Sequence, residues 1–268
     1  AGCWQHHVPS ICDEITGRTE FLTNVWGTPS SDHGRNQALF EFSSQLGELL
    51  KLDMVGLPVY SYGCAAGHAI RMSARITGRR EVLIPRIIDP ERLAVIKNYC
   101  EPPDMSNHIR IQQLNYDQQT GLIDLDDLED KLSDQVAAIY FEVPSYLGLV
   151  EENGNAVSQL AARYGAETIV GCDPISLGIL KSPADYGANI VVGPVQSLGI
   201  HMNCGGGVSG FIASNDQEKY VSEYNTLNIS ITDTVGDKQY GFGLSCAGQT
   251  SYGLREDGKD WTGNSTYL

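Results

Sequence analysis

No stretch of the 268 residues reaches the ~20 consecutive apolar positions that a membrane-crossing helix needs, which excludes a helical membrane-spanning protein. Basic residues are scarce, with 18 Lys and Arg against 33 Asp and Glu, a formal net charge of −15. Phosphate backbones and anionic lipid surfaces would be repelled, so nucleic acid and membrane surfaces are poor partners and neither is expected. Closely spaced cysteines are missing too. Cys3, Cys12, Cys64, Cys100, Cys172, Cys204 and Cys246 are an odd number lying far apart, unlike a disulfide framework or a zinc site. They read as reduced thiols in a cytoplasmic compartment. No signal peptide is visible, so the glycosylation patterns at Asn228-Ile229-Ser230 and Asn264-Ser265-Thr266 read as chance matches. The start at Ala1 without Met and the end at Leu268 after a polar stretch look like the cut ends of a longer protein.

What is present is an ordinary globular composition, 41% apolar, enough to supply a core. Apolar β-branched runs alternate with helical patterns, which predicts βα units and a mostly parallel sheet. Helical spacing marks residues 41–51, and a short extended run follows over 57–62. A helix opens at Gly63 to Gly67, with Ala66, Ile70 and Ala74 on one face and Arg71 and Arg75 on another. Val82-Leu83-Ile84 is a strand, and Asp89 is placed to cap a helix that has Pro90 at its first position. The strand at 109–114 precedes a helix over 125–132, whose acidic run favours the helix dipole and is not read as a metal site. Residues 136–143 are almost wholly apolar, as in a buried parallel strand. A helix over 156–164 closed by Gly165 leads to strands over 168–172, 189–192 and 208–213. Beyond residue 214 the chain is rich in Gly, Ser and Asn with weak periodicity. The expected division is a large domain over 1–213 and an irregular C-terminal extension over 214–268.

Asp173 carries the most information. It ends a predicted buried strand and precedes Pro174, and ligands in open α/β sheets bind outside the carboxyl ends of strands. From position alone, a cap or turn residue is as good a reading as a ligand-facing carboxylate. A second strand end follows at Gln196. This pair of strand ends resembles the large domain of aspartate-aminotransferase-type (fold type I) pyridoxal phosphate enzymes. There the resemblance implies an Asp on the pyridine nitrogen and a Schiff-base lysine at the second strand end. Gln196 stands at that lysine position, and an amide cannot form an imine.

The whole chain resembles the N-terminal half, or separate first subunit, of the glycine-cleavage P-protein, the decarboxylating glycine dehydrogenase. The resemblance rests on Asp173-Pro174-Ile175-Ser176-Leu177-Gly178-Ile179-Leu180-Lys181-Ser182-Pro183, on Tyr186-Gly187-Ala188-Asn189 with Ile190 to Gly193, and on Gln196-Ser197-Leu198-Gly199-Ile200 with Gly205-Gly206. His7-Val8-Pro9, residues 37–42 and Thr262-Gly263-Asn264 add weaker support. It implies a subunit without the lysine, paired with a lysine-bearing second subunit that holds pyridoxal phosphate covalently. It also implies glycine decarboxylation, with the aminomethyl group passed to a lipoyl carrier, the H-protein. Trp26, Gly27, Thr28, Pro29 and His33 fall where the family faces the substrate pocket, although only Thr28-Pro29 keeps the family pattern. Thr262, Asn264 and Ser265 fall where it reaches the cofactor phosphate across the interface. Asp173 would then be a structural remnant of a cofactor site. Two alternatives stay open: a two-chain enzyme for another amino acid, which the altered Trp26 to His33 segment would permit, and a non-catalytic scaffold of the same fold.

Weaker candidates lack context. His6-His7 has no further ligand at metal spacing, and no metal is expected. Gly205-Gly206-Gly207 reads as a turn. Gly63 to Gly67 is a poor phosphate cradle, and Cys64 has no base adjacent in sequence.

Overall fold

The computed structural model describes residues 5, 7–19, 33–56, 58–102, 106–205, 209–224, 228–233 and 240–245. Helices α1 (Ser10–Thr16) and α2 (His33–Leu50) precede the sheet. Then come β1 (Met54–Val55), α3 (Tyr62–Thr77), β2 (Glu81–Pro85), α4 (Pro90–Cys100), β3 (Arg110–Leu114), α5 (Leu125–Lys131), β4 (Val136–Glu142), α6 (Gly154–Arg163), β5 (Glu167–Gly171), β6 (Ile190–Pro194) and β7 (Gly210–Ser214). The seven strands lie in the order β1-β7-β6-β5-β4-β2-β3. Strands β2 to β6 run parallel, and β7 pairs antiparallel with β6 and β1. This is the expected mostly parallel mixed sheet flanked by helices.

Period-two alternation along the strands divides the core into two layers. Phe141 and Val191 face a layer with Leu46 and Leu50 of α2, Leu128 of α5 and Val157 of α6. Tyr140, Ile190 and Val192 face the opposite layer, with Ala66 and Ile70 of α3 and Ile96 of α4. Every residue of β4 is buried, as its almost wholly apolar run predicts for a central parallel strand. The signals for α4 also hold, because the Asp89 side chain accepts hydrogen bonds from Glu91 N and Arg92 N. Gly193 lets β6 pass β5 closely, since a Cβ there would come 2.1 Å from Cys172 O.

Boundaries differ where tertiary pairing decides them. The extended run placed at 57–62 pairs as β1 at Met54–Val55, with Val59 making a single bridge to Gly210 and α3 already begun at Tyr62. Sequence cannot show which residues the antiparallel β7 reaches. After β7, α7 (Glu218–Val221) packs back on the sheet. Tyr220 OH donates to Glu167, Tyr224 OH donates to Ser214, and Arg75 pairs with Glu223 at 2.6 Å. Strands β8 (Asn228–Asp233) and β9 (Tyr240–Ser245) form an antiparallel pair. Among the described residues no helix is long and apolar enough to cross a membrane. The described cysteines Cys12, Cys64, Cys100, Cys172 and Cys204 are all free, while Cys3 and Cys246 lie outside the described residues.

Candidate functional site at the strand ends

Strands β4, β5 and β6 are adjacent and parallel, so their carboxyl ends bring Glu142, Asp173 and Gln196 to one end of the sheet. Asp173 is half-buried just beyond β5. Its carboxylate accepts from Ile175 N at 3.0 Å and from Ser197 Oγ at 3.1 Å, and so caps the 3-10 turn Pro174–Gly178. The Asp-Pro start of that turn is local in cause, because Pro fixes the first helical φ and the Asp side chain takes up an orphan N–H. The Ser197 contact joins the turns that follow β5 and β6. Asp173 is thus a structural cap in this chain.

Gln196 is fully buried. Its Nε2 donates to Gln5 O and to Ile200 O, both at 2.8 Å, and its Oε1 accepts from Gln5 N at 3.0 Å. A buried amide needs its donors and acceptor used, and these contacts use all of them.

Sequence reasoning missed the charged cluster at the end of β4. Glu142 accepts from Tyr140 OH at 2.7 Å, and Arg92 approaches it with Nε at 3.2 Å from Oε1. The same guanidinium lies 3.9 Å from the Tyr62 ring centroid and 3.7 Å from Asp89. Burial raises the Glu142 carboxyl above its usual range, and Arg92 opposes that shift. Burial also works against the Arg92 charge, but Tyr140, Tyr62, Glu142 and Asp89 outweigh it and hold the proton more firmly than usual. Burial pushes the Tyr62 and Tyr140 phenols well up, which keeps them neutral donors. One sequence signal was available, a Glu ending an otherwise apolar strand; its partners were not visible.

The remaining candidates fare unevenly. Ser61 Oγ accepts from Cys64 N at 3.1 Å, so the start of α3 is capped by its own side chain. Gly67 serves helix packing, because a Cβ there would lie 2.7 Å from the Tyr99 ring. His7 is exposed. Among the described residues no group of three potential metal ligands comes together. Trp26, Gly27, Thr28 and Pro29, and likewise Thr262, Asn264 and Ser265, lie outside the described residues. His33 opens α2, but its side chain is not among those described.

The family described as glycine cleavage system P-protein matches residues 1–239. The chain is 36% identical over 236 residues to a protein of Staphylothermus marinus named probable glycine dehydrogenase (decarboxylating) subunit 1, covering 87% of this chain and 50% of the relative. The protein of the same name from Saccharolobus islandicus is also 36% identical, over 91% of this chain and 53% of the relative. The chain therefore spans about half the length of the curated relatives it matches. A crystal structure of glycine decarboxylase (P-protein) of the glycine cleavage system in inhibitor-bound form superposes with a TM-score of 0.81 at 31% identity, over 91% of this chain and 53% of that one. A Burkholderia pseudomallei sphingosine-1-phosphate lyase shares the fold, with a TM-score of 0.59 at 14% identity, over 92% of this chain and 58% of that one. The expected fold type I architecture is therefore present. The strand-end residues of this chain do not by themselves fit a covalently held pyridoxal phosphate. Residue 196 offers a saturated amide in place of an amine, and Asp173 is engaged by Ile175 and Ser197.

Proposed function

The chain belongs to the glycine cleavage system P-protein family, and from that premise we propose that it forms part of the lysine-less subunit of a two-subunit glycine decarboxylase. In this reading a lysine-bearing second subunit holds pyridoxal phosphate, which supplies an electron sink as carbon dioxide leaves. The aminomethyl group then passes to the lipoyl arm of an H-protein. The observation that carries the reading is Gln196, buried and hydrogen-bonded at the position where the family resemblance puts the lysine. Exposed apolar side chains on the turns after β5 and β6, namely Ile175, Ile179 and Leu198, support a partner at this end of the sheet. Trp26, Gly27, Thr28, Pro29 and His33 would shape the substrate pocket. Thr262, Asn264 and Ser265 would contact the cofactor phosphate across the interface.

The test is borohydride reduction of the co-purified two-chain assembly with pyridoxal phosphate, followed by peptide mapping. The adduct is expected on the partner. A stoichiometric adduct on any lysine of this chain, such as Lys51, Lys97 or Lys181, would overturn the reading. Thr262→Ala is expected to weaken cofactor affinity of the assembly roughly 10- to 100-fold, the worth of one hydrogen bond to a charged phosphate.

A further inference from the structure

The contacts of Gln196 reach across almost the whole chain to its N-terminal arm. The Gln5 N–H and C=O both bond the same side-chain amide, so the Gln196 side chain takes the place that a neighbouring strand would fill in a ladder. Farther along the arm, Asp13 meets His201 Nε2 at 2.8 Å. Cys12 lies over Gly199, where an added Cβ would come 3.1 Å from its Sγ, and Gly199 itself has φ of 117°. The arm therefore lies along the turn that follows β6, from Gln196 to His201.

Among the described residues little else holds it. Helix α1 has no buried residue, and Ile11 and Ile15 are exposed. A groove of about 470 Å³ remains between α1, Phe42 of α2 and the turn at 198–203, so the arm is not packed into the core. The Asp13–His201 pair is exposed on both sides, a class of contact that contributes little. The buried amide is the one strong attachment among these contacts.

We propose that residue 196 is a latch: its side-chain amide holds the N-terminal arm of this chain over the strand-end position that a cofactor lysine occupies in the other half of the family. This inference holds whichever subunit carries the cofactor. The chemistry is specific to an amide. Lysine has no acceptor for Gln5 N–H and would bury an ammonium. Glutamate keeps that acceptor but sets a carboxylate against the carbonyls of Gln5 and Ile200.

Amide hydrogen exchange of the full chain tests this, comparing peptides covering residues 1–19, 196–201 and 136–142. Gln196→Ala and Gln196→Lys should each speed exchange at Gln5 and α1 by roughly 10- to 100-fold, as expected for two lost hydrogen bonds, while β4 stays protected. Gln196→Glu should fall between the wild type and Gln196→Ala. Deleting residues 1–9 leaves Gln196 in place and supplies the reciprocal measurement, with protection expected to fall at 196–201 and not at 136–142. Unchanged protection of the arm in Gln196→Ala would overturn the latch. So would a deletion that leaves 196–201 fully protected, or one in which β4 loses protection together with the turn.

Discussion

Glu142 at the end of β4 and Asp173 just beyond β5 stand on adjacent parallel strands, yet one is buried against a guanidinium and the other half-buried over a turn. Ile175 N and Ser197 Oγ, both neutral donors, reach Asp173 from close in sequence and from the next turn, so these contacts make it a turn cap. Glu142 belongs to a charged cluster built from β4, α3 and α4, whose members were desolvated together. A buried pair of this kind adds little net stability when intact and costs much when half of it is removed. The two carboxylates therefore differ less in the stability they contribute than in the penalty for losing their partners.

The largest effect should come from stripping Glu142 of its counter-charge. Arg92→Met is expected to cost about 3–5 kcal/mol in urea unfolding, because a carboxylate is left buried and unpaired. The double variant Arg92→Met, Glu142→Gln should recover most of that loss, since neither charge remains. The penalty in the single variant should also shrink as pH falls, because protonated Glu142 needs no counter-charge. A loss under about 1 kcal/mol for Arg92→Met would place this pair with surface ion pairs and erase the contrast with Asp173.

A buried base near two guanidinium groups makes a useful intermediate case. His68 on α3 packs edge-on against Tyr99, ring centroids 4.8 Å apart, and is 2% exposed. Burial, then the charges of Arg75 and Arg71, lower its pKa from 6.5 to about 4. Its unfolded form binds a proton more readily than its folded form, so its contribution is complete above pH 6.5 and is lost as pH falls toward 4. The gap corresponds to about 3 kcal/mol at most. Thermal unfolding between pH 7 and 4.5 should show this slope, and His68→Gln should flatten it. An unchanged slope in the variant would assign the acid sensitivity to other groups.

Asp173→Asn should cost only about 1 kcal/mol, since an amide oxygen can still accept from Ile175 N and Ser197 Oγ, though without charge. Turnover of an assembled two-chain enzyme should barely change. A loss of several hundredfold with folding intact would give this carboxylate a working role and reverse the comparison.

Legibility in the residues tracks the range of the interactions. The Asp89-Pro90 start of α4 and the apolar run of β4 are local signals that sit where sequence placed them, and the Asp173-Pro174 turn is one of the two readings that position alone left open. The cluster of Tyr62, Arg92, Tyr140 and Glu142 joins three elements, and only the pairing of β2, β4 and β5 sets those elements side by side. The bond from Gln196 to Gln5 spans 191 residues and leaves no local trace. Residues 218–224 were unreadable for a related reason. Tyr220, Glu223 and Tyr224 find their partners on β5, α3 and β7, so packing rather than periodicity holds them.

The smallest effect belongs to a third carboxylate between β5 and β6, Asp185, whose partner Lys51 lies at 2.7 Å in a wet setting, with Lys51 61% exposed. Lys51 follows α2 with φ of 55°, a left-handed conformation that suits glycine better than any residue bearing a Cβ. Two small terms therefore oppose each other in Lys51→Gly. Losing an exposed ion pair costs about 0–1 kcal/mol, and relieving the left-handed residue returns about 1 kcal/mol. The expected net change is a stabilisation of between about 0 and 1 kcal/mol. Lys51→Ala loses the pair and keeps the strain, so it should be destabilising by up to about 1 kcal/mol. Measuring both variants at low and high salt separates the terms, because screening removes the ion pair from the wild type and leaves the backbone term untouched. If Lys51→Gly were as destabilising as Lys51→Ala at both salt concentrations, the strain would be absent. If instead both variants lost several kcal/mol, the Lys51–Asp185 pair would behave like the buried Arg92–Glu142 pair, and burial would no longer separate the three carboxylates.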